Sequence, residues 1–481
     1  MKVSSSPFHD RVNAALRDGT LRESLTDVRH VMPDIRRRSI SDTDDFAAVS
    51  DRAREIRDEV LHKLDHYLEQ FERQVVSMGG HVHWATDGDE ACRLVARICR
   101  DAGGHAITKS KSMVTEEIEL NVHLENAGFE VTETDLGEYI IQLRGEKPSH
   151  ILAPALHVTL AEVAETFTAN HAIERERALQ EPEDMLLEAR QVLRDKFISA
   201  DIGITGANFL VADTGGAVIV TNEGNADLTA TLPDTHIVVT GIEKLVPTLA
   251  DVGVLLRVLA RSAIGERLSN YTTFVHGPRR DNETSGPRNF HVVLVDNGRS
   301  ALLGTEFQDM LRCIRCSACL NHCPVYTAIG GHAYGSVYSG PMGAVLTPAL
   351  ASLPRARHLP NASTFCGRCA EVCPVRIPLP DLLRRWREKE FERHQSPATQ
   401  RWGLRAWRWM NRWPGVYRTL LSGFGIGIRS LSVPGTGKER WIRRLPLFGA
   451  AWTASRDMRA PAGSSFQSQW RERHLNRSAR E

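Results

Sequence analysis

Seven of the nine cysteines in this 481-residue chain lie between Cys313 and Cys373. The first four form the run CIRCSACLNHCP, which ends at Pro324 and has the spacing C-x2-C-x2-C-x3-C-P. This spacing is typical of bacterial ferredoxins, in which three thiolates hold one iron–sulfur cluster and the fourth holds a second cluster. The proline fixes φ and turns the chain out of the loop. The run therefore predicts a two-cluster iron–sulfur domain.

A second, incomplete copy of the run is CGRCAEVCP, which ends at Pro374. Aligning the two Cys-Pro endings places Ser363 where the first run has Cys313. Crossed ligation then gives each cluster its own set of ligands. The predicted first cluster is held by Cys313, Cys316, Cys319 and Cys373. The predicted second cluster is held by Cys323, Cys366 and Cys369.

The second cluster therefore lacks a fourth cysteine. Its missing ligand is an oxygen from Ser363, a water or a group from a partner, or else the cluster has only three irons. A zinc site is the alternative for the whole region. Zinc favours pairs of C-x2-C with four ligands on one ion. Three cysteines in C-x2-C-x2-C register with two Cys-Pro endings favour iron–sulfur instead.

Length and charge limit the remaining possibilities. A chain of 481 residues exceeds what one core usually serves, so we expect two or three domains. The formal net charge of +1 gives no sign of a nucleic-acid binder.

The last residues, 381–481, hold 21 Lys and Arg against 8 Asp and Glu, and eight of the nine tryptophans. This tail is either a docking surface for a partner or anionic lipid, or a solvated helical end with buried tryptophans.

No segment of the sequence predicts a membrane span. The stretch LLSGFGIGI, which begins at Leu420, is too short and too rich in glycine. The N-terminal residues lack the apolar region of a secretory signal. We therefore expect a cytoplasmic protein, in which clustered thiols indicate metal rather than disulfides. Cys92 and Cys99 lie seven residues apart in a helical pattern and are predicted to be core residues.

The region before the cysteines predicts an α/β domain. Strand-like pieces such as HVHWAT, HAITKSK and FEVTETDL alternate with helical pieces such as DEACRLVARICRDAG and LAEVAETF. YIIQLRG is also interpreted as a strand. This βαβα order favours a largely parallel sheet. A charged helical pattern precedes it and is predicted to stop at Gly79-Gly80.

Lysines and serines alternate in TKSKSMVTEE, at the end of a predicted strand. Lys109 and Lys111, beside small hydroxyl side chains at a helix N-terminus, are candidates to bind an anion. The alternative is helix capping, with Ser112 or Thr115 as the N-cap residue.

Two further patches are candidate catalytic sites. Glu223 follows an apolar strand in VIVTNEGNADL and is a candidate nucleophile or base, or accepts hydrogen bonds in a turn. Arg279 and Arg280 in SNYTTFVHGPRR are candidates to clamp a carboxylate, or lie in a solvated loop. No dinucleotide or P-loop fingerprint is present.

Several segments together resemble one known family. They are ITKSKSMVTEEI, ETDLGEYIIQL, SHILAPALH, TGANFLVADTGGAVIVTNEGNADL, SNYTTFVHGPRR, CIRCSACLNHCPVY and CGRCAEVCPV. In this order they are similar to the lactate-utilization iron–sulfur protein B family, over residues 60–480. The seven cluster cysteines named above match that family's ligands, and a serine near Ser363 is also a feature of the family.

The resemblance implies a fold and a function. The N-terminal α/β domain (LUD domain) would have the fold shared by sugar-phosphate isomerases and CoA transferases (NagB/RpiA-like). An α-helical ferredoxin-type domain with two [4Fe-4S] clusters and a mostly helical basic region would follow. The protein would carry electrons in the oxidation of L-lactate to pyruvate. It would act with two companions, one with cysteine-rich repeats and one with only the LUD domain.

The expected domains are a helical extension over 1–60, the LUD domain over 61–302, the two-cluster domain over 303–385 and the basic region over 386–481. Two rival functions remain. In the first, this chain itself oxidises the hydroxy acid, with Lys109, Lys111, Arg279 and Glu223 as candidate residues and an open iron as the binding site. In the second, the chain is a scaffold, and its basic tail assembles the complex.

Overall fold

A computed structural model describes residues 3, 6–172, 179–434, 439–446, 449–450, 452–453, 456–461 and 464–478. Contacts between residues divide the chain into two units, Met1–Arg393 and His394–Glu481. The larger unit contains both the α/β region and all seven clustered cysteines.

The α/β region and the helices before it make up most of the larger unit. In chain order its elements are α1 Phe8–Ala15, α2 Gly19–Ser41, α3 Phe46–His62, α4 Leu64–Ser77, β1 His81–Ala85, α5 Gly88–Asp101, β2 Ala106–Lys109, α6 Met113–Glu117, α7 Leu120–Asn126, β3 Glu130–Glu133, α8 Leu136–Leu143, α9 Leu160–Asn170, α10 Pro182–Ser199, β4 Ile202–Thr205, β5 Phe209–Val211, β6 Gly216–Thr221, α11 Asn225–Thr231, β7 Thr235–Gly241, β8 Leu245–Val246, α12 Leu249–Ala263, β9 Tyr271–Val275 and β10 Asn289–Val295.

The main sheet has six strands in the order β1-β10-β7-β4-β2-β3, and all its pairings are parallel. This confirms the predicted parallel α/β domain. The central strand β7 is buried along its whole length, as expected for a strand covered on both faces. Helix α5 packs on one side through buried Val95 and Cys99, and Cys92 is buried beside them. Both of these cysteines are core residues, as predicted.

A second sheet has four strands in the order β8-β5-β6-β9. Its β5–β6 hairpin turns through Gly215, whose φ is +69°. A Cβ at this position would lie 2.7 Å from the backbone nitrogen of Val75. The turn therefore needs glycine both for its left-handed backbone and for its close approach to α4.

One predicted strand is wrong. YIIQLRG lies mostly in helix α8, which begins after Asp135. The side chain of Asp135 caps this helix by accepting a hydrogen bond from the backbone N–H of Glu138 at 3.1 Å. A short apolar run does not by itself separate a strand from a helix, and here the cap residue just before the run was the overlooked signal.

Short helices dominate the cysteine region. They are α13 Ala318–Asn321, α14 Tyr326–Ile329, α15 Gly340–Ala351, α16 Leu353–Ala356, α17 Arg368–Glu371 and α18 Leu379–Glu392. Helices therefore lie between the two cysteine runs, in agreement with the α-helical ferredoxin-type domain that the resemblance implies. One hydrophobic core contains residues of the cysteine region together with Leu25 of α2, Ile56 of α3 and Leu255 of α12. The N-terminal helices thus pack around the cysteine region.

The smaller unit contains α19 Ala398–Asn411, α20 Pro414–Ser430 and α21 Phe466–Ser478, with a three-stranded sheet of β11 Val433–Pro434, β12 Arg440–Ile442 and β13 Met458–Arg459. Neither α19 nor α20 has a buried residue. The tryptophans Trp402, Trp407, Trp409, Trp413, Trp452 and Trp470 are exposed. The alternative of a tail with buried tryptophans is therefore wrong for these six side chains.

Candidate iron–sulfur centres and an adjoining cavity

Four cysteines from both ends of the cysteine region surround one pocket. They are Cys313, Cys316 and Cys319 from the first run and Cys373 from the second. Helix α13 begins just before Cys319, and the turn after α17 brings Cys373 back from 54 residues further along the chain. The structure thus brings together the four residues predicted to share the first cluster.

The other three cysteines form a second group. Burial, followed by repulsion from Cys323 and then from Cys366, raises the pKa of Cys369 to about 12. Burial also raises the pKa of Cys323, and repulsion from Cys366 adds to it. Cys323 and Cys369 are buried, but Cys366 is exposed, so this group opens to solvent. Ser363 is half-buried three residues before Cys366. Its hydroxyl accepts a hydrogen bond from the backbone N–H of Phe365 at 3.2 Å.

The two cysteine runs repeat one backbone geometry. Arg315 and Ser317 flank Cys316 with φ of +61° and +60°, and Phe365 and Gly367 flank Cys366 with φ of +55° and +83°. In the first run the paired left-handed residues lead into α13, and in the second they lead into α17. This match supports the alignment in which Cys366 corresponds to Cys316.

The donor set fits a cluster of several iron atoms. Burial, followed by repulsion from Cys373, raises the pKa of Cys316 to about 12. Burial and the neighbouring cysteines also raise the pKa of Cys319. Thiolates held this closely need a strong positive charge among them. No three His, Cys, Asp or Glu side chains in the described residues are placed to hold a single metal ion. In a four-iron cubane each cysteine binds a different iron, so the ligands lie further apart than around a single ion.

Buried ion pairs join the first cysteine run to the main sheet. Arg299, after β10, makes a bidentate pair with Glu117 at 3.0 and 2.7 Å, and its Nε lies 2.7 Å from Glu243 Oε2. Arg315 lies 3.5 Å from Glu243 Oε1, and its guanidinium stacks 4.7 Å above the Tyr338 ring. The phenol of Tyr338 donates to Glu117 at 2.6 Å. The cysteine loop therefore has a fixed position relative to the sheet.

A cavity of about 290 Å³ lies at the carboxyl ends of the parallel strands; we call it the sheet-edge cavity. Open α/β sheets bind ligands at this edge. The segments after β2, β4 and β6 line it, together with the last turns of α12. Ile151 and Arg315 also line the four-cysteine pocket, so they form a wall shared by the two spaces.

The loop that carries Ile151 is attached to the cysteine region. The Tyr326 hydroxyl donates to the Ser149 carbonyl at 3.0 Å, and His150 Nε2 lies 3.1 Å from Asn321 Oδ1. Burial lowers the pKa of His150 to about 4, so this contact involves a neutral ring. Besides the buried ion pairs, the segment SHILAPALH therefore also contacts the cysteine region, a role that its apolar sequence did not indicate.

Charged side chains of both signs line the sheet-edge cavity. Lys244 is buried, and burial followed by repulsion from Arg315 lowers its pKa to about 8. Lys111 Nζ is buried and has no hydrogen-bond partner among the described residues. Glu223 and Asp135 also line the cavity. Burial, and then the neighbouring Asp135, raise the pKa of Glu223.

The four candidate residues separate into two pairs. Lys111 and Glu223 line the sheet-edge cavity, and Lys109 and Arg279 do not. Lys109 Nζ is fully buried, 2.7 Å from Glu133 and 3.3 Å from Glu116. Burial opposes its charge, but these carboxylates outweigh it and raise the pKa of Lys109. The catalytic roles assigned to all four residues stay predictions.

Each of the three polar patches also makes a contact that fits its alternative, non-catalytic interpretation. Ser112 is the N-cap of α6 and accepts from the Thr115 N–H at 3.4 Å. Glu223 Oε2 accepts from the backbone N–H of Leu136 at 3.3 Å. Arg280 lies in the loop before β10, where its backbone N–H donates to Glu283 at 2.7 Å.

Comparison with known proteins covers both parts of the larger unit. The LUD domain model matches residues 68–295, and the 4Fe-4S dicluster domain model matches residues 309–377. Lactate utilization protein B of Bacillus subtilis (strain 168) is 41% identical over 486 residues, covering 100% of this chain and 99% of that protein. The chain belongs to the lactate utilization protein B family.

Two further relatives match this chain over almost their whole length. Lactate utilization protein B of Bacillus velezensis is 41% identical over 482 residues, with 98% of both chains covered. The uncharacterized electron transport protein YkgF of Escherichia coli (strain K12) is 41% identical over 476 residues, also with 98% of both covered. A DUF162 family protein from Deinococcus radiodurans covers 48% of this chain and 98% of its own at 15% identity, but its TM-score of 0.26 carries no argument about the fold.

Sequence reasoning missed three charged residues of the sheet-edge cavity, which are Asp135, Lys244 and Arg315. Lys244 lies just after β7, within the apolar segment THIVVTGIEKLV, and a buried lysine was not expected there. Arg315 lies between two cysteines, where only the thiols drew attention. For Lys244 the available signal was its position, because residues after parallel strands meet at one edge of the sheet.

Proposed function

We propose that this protein carries electrons during the oxidation of L-lactate to pyruvate, as an iron–sulfur subunit of a lactate-oxidising complex. The observation that carries the proposal is the order of three features. The sheet-edge cavity adjoins the four-cysteine pocket, and the second cysteine group is exposed to solvent at Cys366. The names of the relatives support lactate as the substrate of the system.

The proposed cofactors are two [4Fe-4S] clusters, bound by the two cysteine groups as predicted from their spacing. When bound, they would take up and release single electrons. Oxidation of lactate to pyruvate yields two electrons and two protons, one electron for each centre. The chain itself contributes burial and hydrogen bonds to sulfur. Tyr326 N–H donates to Cys323 Sγ at 3.5 Å, and Ile377 N–H donates to Cys373 Sγ at 3.4 Å.

The proposed partners are a companion with cysteine-rich repeats and a companion with only the LUD domain. The exposed aromatic and arginine side chains of α19 and α20 support docking by the smaller unit. Contact of this basic surface with anionic lipid is the alternative, and a flotation assay with anionic vesicles separates the two. No described helix is long and apolar enough to cross a bilayer. We propose a cytoplasmic site of action, with a quinone or cytochrome as the final acceptor.

The test uses protein purified without oxygen. Iron and sulfide analysis should give two clusters per chain, and EPR of the reduced form should show both. With the companions present, L-lactate should bleach the visible absorption of the clusters. A colourless protein that contains stoichiometric zinc would refute the proposal.

The second candidate function makes this chain the catalyst. The sheet-edge cavity favours it, because Lys111 and Glu223 line a space beside the four-cysteine pocket. Steady-state oxidation of lactate by the isolated protein with an artificial acceptor would support the catalytic function. Turnover only with added companions would support the electron carrier.

A further inference from the structure

We propose that the sheet-edge cavity is a binding site for a small organic monoanion, a 2-hydroxy or 2-oxo carboxylate, whose carboxylate is held by Lys111 and Lys244 beside the wall of Ile151 and Arg315. The existence of an anion site rests on the cavity. The choice of a 2-hydroxy or 2-oxo acid rests on the proposed function.

The first argument is an unsatisfied cation. Lys111 Nζ is buried and has no hydrogen-bond partner among the described residues, unlike Lys109 two residues earlier, which has two carboxylates within 3.3 Å. Glu138 and Glu223 are near enough to attract this ammonium group, but neither gives it a hydrogen bond. A buried ammonium group without a hydrogen bond is costly, and an oxygen of a bound ligand would remove that cost. Lys244 adds a second buried cation on the same cavity.

The second argument is the balance of charge. Three cationic side chains and two carboxylates line the cavity: Lys111, Lys244, Arg315, Asp135 and Glu223. The charge of Arg315 is already paired with Glu243 at 3.5 Å, so Lys111 and Lys244 are left to balance Asp135 and Glu223. A site this close to neutral suits a ligand with one negative charge better than a phosphate ester with two.

The third argument is the nature of the walls. Ile151, Leu259 and Ala263 present an apolar side that suits a short alkyl group. Ser110 and Thr240 offer hydroxyls for a second ligand oxygen beside the carboxylate. A volume of about 290 Å³ is close to the lower end of small-molecule sites, as expected for an acid of a few carbons.

The experiment measures binding rather than turnover. Anaerobic protein with its clusters in place is titrated with pyruvate and with L-lactate by isothermal calorimetry. Lys111→Gln should weaken the affinity by about tenfold or more, because a charged hydrogen bond is lost. Lys196→Gln is the matched control. Its side chain is exposed and pairs with Glu130 at 2.5 Å, so binding should be unchanged.

Iron content and the EPR spectrum confirm that each variant is folded, and Lys244→Gln repeats the test if Lys111→Gln does not fold. Unchanged pyruvate affinity in the folded lysine variants would overturn the site. Tighter binding of inorganic phosphate than of either carboxylate would overturn the ligand class. If pyruvate binds and lysine replacement weakens it, but lactate never reduces the clusters with companions present, the site stands and the proposed function fails.

Discussion

In each cysteine loop, the residues on either side of one cysteine have a left-handed backbone conformation, which sets the shape of the loop. Ser317 has a φ of +60° and Gly367 a φ of +83°, and each follows the second cysteine position of its run. A side chain in this conformation costs about 1–2 kcal/mol per residue, whereas glycine adopts it freely. The first run tolerates a serine where the second has glycine.

Replacing Gly367 with serine tests the size of this backbone effect. A Cβ at this position meets no atom within 4 Å, so only the backbone strain should matter. We expect Gly367→Ser to lower the free energy of unfolding by about 1–2 kcal/mol, measured by chemical denaturation without oxygen. The control is Gly253→Ser in α12, where the space is equally open but the backbone is helical. It should cause no loss.

The second cysteine group also makes a prediction about its missing ligand. Ser363→Cys would complete the spacing of a full ferredoxin run before Cys366. We expect EPR of the reduced protein to show a change in the signal of the second cluster only. Ser363→Ala is the companion variant and should alter that signal if the hydroxyl is a ligand. If both signals stay the same in both variants, Ser363 does not lie near that cluster.

Between elements, the buried ion pairs around Glu243 attach the cysteine loop to the sheet. Burial opposes the charge of Glu243, but Arg299, then Arg315 and Lys244, lower its pKa to about 2 from its ordinary value of 4.5. Because the folded pKa is the lower one, ionised Glu243 stabilises the fold fully above pH 4.5. The stabilisation disappears as the pH falls towards 2.

Glu243→Gln should therefore destabilise the protein in a pH-dependent way. We expect a loss of about 3 kcal/mol at neutral pH, because a buried arginine loses part of its charge compensation. The difference from the natural protein should stay constant above about pH 5 and shrink below pH 4.5 in unfolding curves. Glu306→Gln is the control, since its pair with Lys389 at 2.6 Å lies at the surface. A loss above about 1 kcal/mol there would argue that charge alone, not burial, decides the effect.

At the scale of the whole molecule, the cysteine region shares its core with the N-terminal helices. Cys316 and Cys373 belong to the same hydrophobic cluster as Leu25 and Ile56. Arg36 of α2 reaches across to donate to the Val372 carbonyl at 2.8 Å. Loss of the clusters should therefore spread beyond the cysteine loops.

Removal of iron by a chelator should destabilise the core that the cysteine region shares with the N-terminal helices. The core formed by α5 and β2 should be unaffected. We expect faster amide hydrogen exchange in α2, α3 and residues 313–377, measured by mass spectrometry. Exchange in α5 and β2 should change little, because their apolar side chains form a separate core on the sheet. Equal protection of all segments before and after chelation would mean that the clusters do not support the fold.

Local patterns in the sequence predicted the chemistry of the cysteines and the parallel sheet. Cysteine spacing and short-range periodicity act over a few residues, so no knowledge of distant neighbours was needed. Helix α8 shows the limit of that method, since an apolar run fits two structures until its capping residue is considered.

Tertiary structure alone decided which charged residues face a common space. Lys109 and Lys111 are two residues apart, yet one is neutralised by Glu133 and the other lines the sheet-edge cavity. Arg315 and Lys244 join that cavity from segments 71 residues apart in the chain. The physical reason is that burial and ion pairing depend on neighbours brought by folding, whereas a thiol's suitability for iron is already present in the residue itself.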